Sequence, residues 1–321
     1  MQTYILRRLL ATIPVFIVVA LFVFAILRLT PGDPASVMAG SEATKEQVEL
    51  IRARLGLDDP MYVQLWDWVK DLANGDLGTS IRSKSPVRDL ITRRIEPSLT
   101  LALVTEFFAI LIAVPMGVLA AWKADSLLDR GIMVFAAVGF SMPVFWLGFL
   151  LIWLFAIWPV TTLGFDNPIL PVLGYISWKD DLFESVRHLI LPAFTLGLVL
   201  IALVARMTRA AMLEVLREDY VRTARAKGLS ENMVLVRHAL RNASLPVITV
   251  IGLGVAALLS GAVVTESVFA IPGMGRLAVD AIAARDYPVI QGLILVVASV
   301  YVIINLAVDI TYAFLDPRIR Y

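Results

Sequence analysis

The sequence predicts an all-α membrane protein: six transmembrane helices, both termini cytoplasmic, and a long helical extracytoplasmic insert after the first helix. Three observations carry this expectation. Of 321 residues, 59% are hydrophobic and only 17% charged, too apolar a balance for a soluble domain of this size to cover with polar surface. Six segments each reach the roughly 20 mostly apolar residues that a helix needs to cross about 30 Å of hydrocarbon. Lys and Arg are unevenly shared between the short loops, the asymmetry that fixes orientation. The formal net charge of +1 offers no bulk attraction to nucleic acid, so none is expected as a partner. The absence of cysteine excludes disulfides, thiolate catalysis and Cys-based metal sites. His188 and His238 stand in unlike surroundings, and no metal site is expected from them.

The elements follow in order. Residues 1–29 hold the N-terminus and the first span, Leu9 to Leu29. Arg7 and Arg8 before it and "SVMAGS" after it imitate a signal peptide, but the apolar run is too long for an h-region, and Arg28 with "TPGDP" intervenes. Residues 30–96 form the insert. Thr44 and Gln47 make a capping box, Val48, Ile51 and Leu55 share a face, and Gly56 stops that helix. A second helix starts at Asp59 and Pro60, aligns Leu65, Trp66, Val69 and Leu72, and ends at Asn74 and Gly75. A third starts at Ser85 and Pro86, with Val87, Leu90, Ile91 and Ile95 spaced to lie on the membrane surface. The insert reads equally as a docking platform for an extracytoplasmic partner or as a cap packed on the bundle.

Residues 97–321 make a five-helix core with spans Leu99 to Trp122, Ile132 to Trp158, Leu189 to Met207, Val247 to Phe269 and Val289 to Phe314. Pro97, Pro192, Pro246 and Pro288 mark helix starts, where a missing N–H costs little. With the N-terminus inside, the cytoplasmic side collects Arg7, Arg8, Lys123, Arg130, the run from Arg209 to Arg241, Arg318 and Arg320. The outer short loops collect Lys179, Arg187, Arg276 and Arg285.

Between the fourth and fifth spans, residues 208–246 form a basic, helix-patterned cytoplasmic loop. Asp219 reads as an N-cap, Tyr220 to Lys227 as two helical turns with Arg225 and Lys227 where the dipole favours cations, and Gly228 as a left-handed stop. Ser230 then caps an amphipathic helix with Met233, Val234, Val236 and Leu240 on its apolar face. A basic helix resting on anionic lipid is one reading. The tight caps, and Ala224, Ala226 and Gly228 as small residues that admit close approach, favour a protein partner.

Within the spans, Glu106 is a candidate by default, because an intramembrane carboxylate is costly unless it faces an interior; a structural hydrogen bond is its other explanation. Pro115, Gly117 and Pro143 can loosen helices. No HExxH, GxSxG or intramembrane aspartate pair points to an enzyme, and no GxxxxGK[ST] to ATP binding. A stand-alone channel or secondary transporter would explain six spans, but not the loop.

The stretch "RTARAKG" at Arg222 to Gly228, followed by "HALRNASLP" at His238 to Pro246, resembles the cytoplasmic coupling loop of bacterial ATP-binding-cassette importer permeases of the dipeptide/oligopeptide and nickel group. The resemblance runs through "YILRRLLATIPV", "RLTPGDPA", "GDLGTSI", "SMPVFWLG", "ESVFAIPGMG", "ARDYPVIQG" and "LDPRIRY". Arg222, Thr223 and Ala224 replace the Glu-Ala-Ala of the wider class, as in the peptide group's own variant, so a salt bridge from that Glu is not carried over.

The resemblance implies the permease subunit of an importer for di- or oligopeptides in the bacterial inner membrane; nickel, glutathione or another small solute is the alternative. It implies a homologous second permease, two cytoplasmic ATPase domains that hold ATP and magnesium, and an extracytoplasmic solute-binding protein. Arg222, Thr223, Ala224, Lys227, Gly228 and Leu229 would contact the ATPase. Glu106, Ser141 and Pro143 are candidates for the translocation path, and Glu266, Pro272, Gly273 and Gly275 for an outer gate or binding-protein contact.

Overall fold

The computed structural model describes residues 2–29, 34–39, 44–54 and 56–315. Leu55, Arg318 and Arg320 lie outside the described residues. The described chain is helical throughout, apart from its connections and one isolated bridge between Thr79 and Pro86. Its helices are α1 (Gln2–Leu29), α2 (Pro34–Ala39), α3 (Lys45–Arg54), α4 (Met61–Ala73), α5 (Val87–Trp122), α6 (Leu127–Ser141) and α7 (Val144–Ile152). They continue as α8 (Trp158–Thr162), α9 (Leu182–Val215), α10 (Asp219–Ala226), α11 (Glu231–Met233), α12 (Arg241–Val268), α13 (Met274–Ala283) and α14 (Tyr287–Leu315). Two π-helical segments, Trp153–Ile157 and Val234–Leu240, join α7 to α8 and α11 to α12. Among the described residues, five helices are long and apolar enough to cross a membrane: Val87–Trp122, Val144–Thr162, Leu182–Val215, Glu231–Val255 and Tyr287–Ala307. Leu9–Ala25 is a shorter apolar helix.

The prolines correct several expected boundaries. Pro97 does not begin the second span, and no separate surface helix precedes it: α5 runs unbroken from Val87 to Trp122 with Pro97 and Pro115 inside. Two missing N–H groups leave most of the hydrogen bonding of a 36-residue helix intact, and membrane helices tolerate them. Pro192 and Pro246 likewise lie inside α9 and α12. Asp181 is the true start of α9, its carboxylate accepting from the Phe183 and Glu184 N–H groups. Pro143 acts in the opposite sense. It forces Met142 into extended backbone with ψ 131° and splits the expected third span between α6 and α7.

The chain divides into two compact units. The first comprises residues 1–95 and 277–303. Its insert follows the expected local chemistry: the Thr44 N–H donates to Gln47 Oε1, the Gln47 N–H to Thr44 Oγ1, and Gly56 turns at φ +59°. Gln291 of α14 donates to the Val23 carbonyl of α1 at 2.9 Å. Gly292 faces Val87, where a Cβ would collide. Asp286, at the head of α14, is buried and accepts from Ser80 Oγ and from the Ile81 and Arg82 N–H groups.

The second unit, residues 96–276 and 304–321, holds the main core. Its centre is α9, whose Leu189, Leu196, Leu200, Ile201 and Val204 pack against Leu101 and Ala109 of α5, Leu147 of α7 and Leu258 of α12. Small residues set the crossings: Gly197 lies against Thr105, Gly117 against Thr208, and Gly261 against Leu196. Between helices in a bilayer, such close approach replaces the hydrophobic drive that water provides elsewhere.

Candidate functional site

The 208–246 loop is built as a short helix on an apolar seat. Val221 and Ala224 of α10 are buried together with Val234, and Val215, Leu216 and Leu229 close around them. One cluster therefore joins the end of α9, the short helix and the start of the next. A second cluster extends the seat: Ala121 of α5, Ala211 and Met212 of α9, Leu235 and Ala239 of the π segment, and Ala243 of α12.

The outward face of α10 carries Arg222, Thr223, Arg225 and Ala226, with Lys227 as C-cap and Gly228 following at φ +76°. Gly228 is open to solvent, and its left-handed backbone gives the sharp turn expected of it. Four of the expected contact residues, Arg222, Thr223, Lys227 and Gly228, are exposed, whereas Ala224 faces inward and Leu229 is half-buried. Glu218, rather than Asp219, holds the N-cap position, without a side-chain cap bond. Asp219 instead approaches Arg222 at 3.4 Å, and Arg225 pairs with Glu231 at 2.7 Å across the turn.

The helix after the turn departs from its expected face. Val234, Leu235 and Ala239 are buried, while Met233 and Val236 are exposed. The cause is the π backbone of Val234–Leu240, whose wider turn, closed by i→i+5 hydrogen bonds, shifts the buried positions off the α-helical face.

At the other end of the second unit, the "ESVFAIPGMG" block folds around Glu266. This carboxylate is wholly buried and accepts from Ser98 Oγ and from the Arg276 N–H at the start of α13, while Ser98 Oγ accepts from the Met274 N–H. An anion thus satisfies a helix N-terminus. Gly273 is required by contact, since a Cβ there would overlap the Glu266 carboxylate, and Gly275 meets Val263 in the same way. Glu266, Gly273 and Gly275 form one constellation, and Pro272 at its rim is half-buried. The neighbouring loop is fastened by Glu96, which accepts from Ser177 Oγ and from Lys179 Nζ at 2.8 Å and raises the lysine ammonium above its usual range.

The path candidates are not joined. Both Glu106 oxygens are buried without a hydrogen-bond partner, as are the hydroxyls of Thr105, Thr208 and Thr265. Ser141 ends α6 and is exposed, and Pro143 is the N-cap of α7. Beside Pro143 opens an apolar cavity of about 400 Å³, lined by Val144, Leu196, Val199, Leu200, Leu203, Val250, Leu253, Gly254, Ala257, Leu258 and Gly261.

One anchor escaped the sequence reading. Asp129, 2% exposed, takes both Arg209 Nε and Nη2 at 2.6 Å and the Asp125 N–H at 3.0 Å. Arg209 holds this carboxyl below the usual carboxylate range against the desolvation of burial. The available signal was an aspartate one turn into a helix beside a basic loop, which also fits a simple capping role.

Residues 1–104 match the family described as "Binding-prot-dependent transport system membrane comp, N-term", and residues 113–321 match "Binding-protein-dependent transport system inner membrane component". The chain belongs to this family of permeases. A probable peptide ABC transporter permease protein of Sinorhizobium fredii is 47% identical over 321 residues, covering 100% of both chains. The dipeptide transport system permease protein DppB of Escherichia coli is 43% identical over 337 residues, covering 100% of this chain and 99% of that one. In fold, the chain resembles the structure titled "Inward facing conformations of the MetNI methionine ABC transporter", with TM-score 0.56 and 17% identity over 71% of this chain and 96% of the other. This member of the permease family is a multi-pass membrane protein, and the family is the membrane component of such transporters rather than their ATPase.

Proposed function

We propose that this chain is one transmembrane permease of an ATP-driven importer for di- or oligopeptides in the bacterial inner membrane. It has six spans with both termini cytoplasmic, an extracytoplasmic insert at residues 30–96, and a five-helix core at residues 97–321. A homologous second permease completes the translocation path, two cytoplasmic ATPase domains bind ATP and magnesium, and an extracytoplasmic binding protein delivers the solute. The full-length likeness to permeases named for dipeptide transport supports the solute class.

The observation that carries the coupling role is the seating of α10. Its outer face is exposed and basic, while its inner face is fixed to α9 and to the segment leading into α12 through Val221, Ala224 and Val234. A push delivered by ATPase closure therefore moves the short helix together with the ends of two spans instead of sliding it over them. Arg222, Thr223, Lys227 and Gly228 meet the ATPase, and Ala224 and Leu229 serve from beneath by holding the helix in place. Glu106, Ser141 and Pro143 belong to the path, and the constellation of Glu266, Pro272, Gly273 and Gly275 to the outer gate or to the contact with the binding protein.

The test is Gly228→Pro. Proline holds φ near −65° and cannot adopt the φ of +76° found here. Uptake of a labelled dipeptide should fall to background, ATPase subunits should cease to copurify, and the amount of permease in the membrane should be unchanged. Normal uptake would refute the coupling role. Uptake of a nickel or thiol solute in place of the dipeptide would overturn the solute class alone.

A further inference from the structure

The insert helix α4 carries more apolar surface than the protein covers. At about 100° per residue, Leu65, Trp68 and Leu72 point in one direction, and each is half-buried. Tyr62, Trp66 and Val69 occupy the adjoining sector and are 74%, 70% and 41% exposed. Asp67, Lys70 and Asp71 take the opposite side and are exposed. The apolar arc thus extends well past its packed part, and no residue of α4 is fully buried. Such a stripe on a helix needs an apolar neighbour.

The depth of α4 identifies that neighbour. Trp68 packs its ring on Phe24 of α1, with centroids 5.8 Å apart. Phe24 precedes the end of α1 at Leu29 by five residues, which is about 8 Å of helix. In the turns just before Phe24, Val18, Leu21 and Phe22 are exposed, so surface fit only for acyl chains lies close to the level at which α4 is seated. A Tyr and a Trp side by side are the residues that favour this boundary, each with an apolar ring and a polar edge.

We infer that α4 lies in the headgroup–acyl boundary of the outer leaflet and that Tyr62, Trp66 and Val69 are a lipid-binding face. The inference rests on the proposed topology, in which α1 crosses the membrane. The insert is then anchored to the bilayer by its own helix, and Asp67, Lys70 and Asp71 present a polar face to water.

The chain has no cysteine, so an introduced thiol reports from one position of it. A nitroxide is placed at Tyr62→Cys, Trp66→Cys, Asp71→Cys and, as a control inside the first span, Ile17→Cys. The permease, with the partners that copurify, is reconstituted in nanodiscs of phosphatidylcholine and phosphatidylglycerol. Collision of each label with oxygen and with a water-soluble nickel chelate is then measured by electron paramagnetic resonance. At positions 62 and 66 the oxygen-to-nickel ratio should exceed that at 71 several-fold, should stay below that at 17, and should not respond to added binding protein. A ratio at 62 and 66 equal to that at 71 places the stripe in water and overturns the inference. Low collision with both reagents there means that a protein covers the stripe, and overturns it equally. A water-like ratio at Ile17→Cys would instead defeat the topology on which the inference rests.

Discussion

Single residues differ widely in what they hold. Asp219–Arg222 is an exposed pair on α10, with side chains 96% and 73% accessible, and a pair of that kind contributes little. Asp129–Arg209 is the contrasting case: the same charges in bidentate geometry, with the carboxylate side chain 3% accessible and the guanidinium 26%. Removing one partner strands the other, so Asp129→Asn should cost about 3 kcal/mol of stability. The pH dependence has a definite sign. Arg209 lowers the folded-state pKa of Asp129, so the pair's contribution is fully present above the unfolded carboxylate value, about 3.9, and is lost as pH falls below it toward the folded value. In detergent, the gap in melting temperature between wild type and Asp129→Asn should hold steady from neutral pH to about pH 5 and narrow below about pH 4. A gap that stays constant to the lowest pH would show that Asp129 acts through packing and not through its charge.

Elements show where local rules stop being sufficient. The capping box at Thr44 and Gln47, the left-handed stops at Gly56, Gly75 and Gly228, and the cationic end of α10 follow from neighbouring residues alone, and the sequence made each of them readable. The prolines did not separate by sequence. Pro97, Pro192 and Pro246 look like helix starts yet lie inside helices, because the surrounding bundle holds those helices together; Pro143 breaks one. The π segment was invisible for a related reason, since its register is chosen by packing at both ends. Val234 is buried with α10 and Ala239 with α9. Five residues apart on an α-helix, two side chains diverge by about 140°, whereas a π backbone brings them back to about one turn. Deleting Val236, which is 62% exposed and so costs no core contact, should return this stretch to α register and turn α10 away from α12. The expected result is ATPase subunits that still copurify and hydrolyse ATP while dipeptide uptake collapses. Retained uptake would show that the π register does not transmit the push.

At the scale of the molecule, the number of crossings decides which surfaces face which compartment, and parity makes that number testable. Among the described residues, five helices meet the length and composition for crossing, and the apolar stretch Leu9–Ala25 is shorter. Two spans, Val87–Trp122 and Val144–Thr162, separate the insert from the 163–181 loop, so the two share a side whether or not α1 crosses. What α1 decides is the N-terminus: inside if α1 crosses, and outside with the insert if it does not. Composition could establish a membrane protein, and the motif could suggest a coupling loop, but neither could settle the first helix: its length is marginal and the charges beside it resemble those of a signal peptide. The basic run from Arg209 to Arg241, against only Lys179, Arg187, Arg276 and Arg285 in the opposing short loops, predicts that the 208–246 loop is cytoplasmic. Single thiols at Asp71→Cys, Asp166→Cys and Lys227→Cys, all exposed positions in a chain without cysteine, read each compartment separately. A membrane-impermeant maleimide added to intact spheroplasts should label the first two, and should reach Lys227→Cys only after permeabilisation. Labelling of Asp166→Cys without Asp71→Cys would mean that only one of the spans Val87–Trp122 and Val144–Thr162 crosses, and would overturn the five-helix core. Labelling of Lys227→Cys alone would invert the whole bundle and remove the 208–246 loop from the reach of any cytoplasmic ATPase.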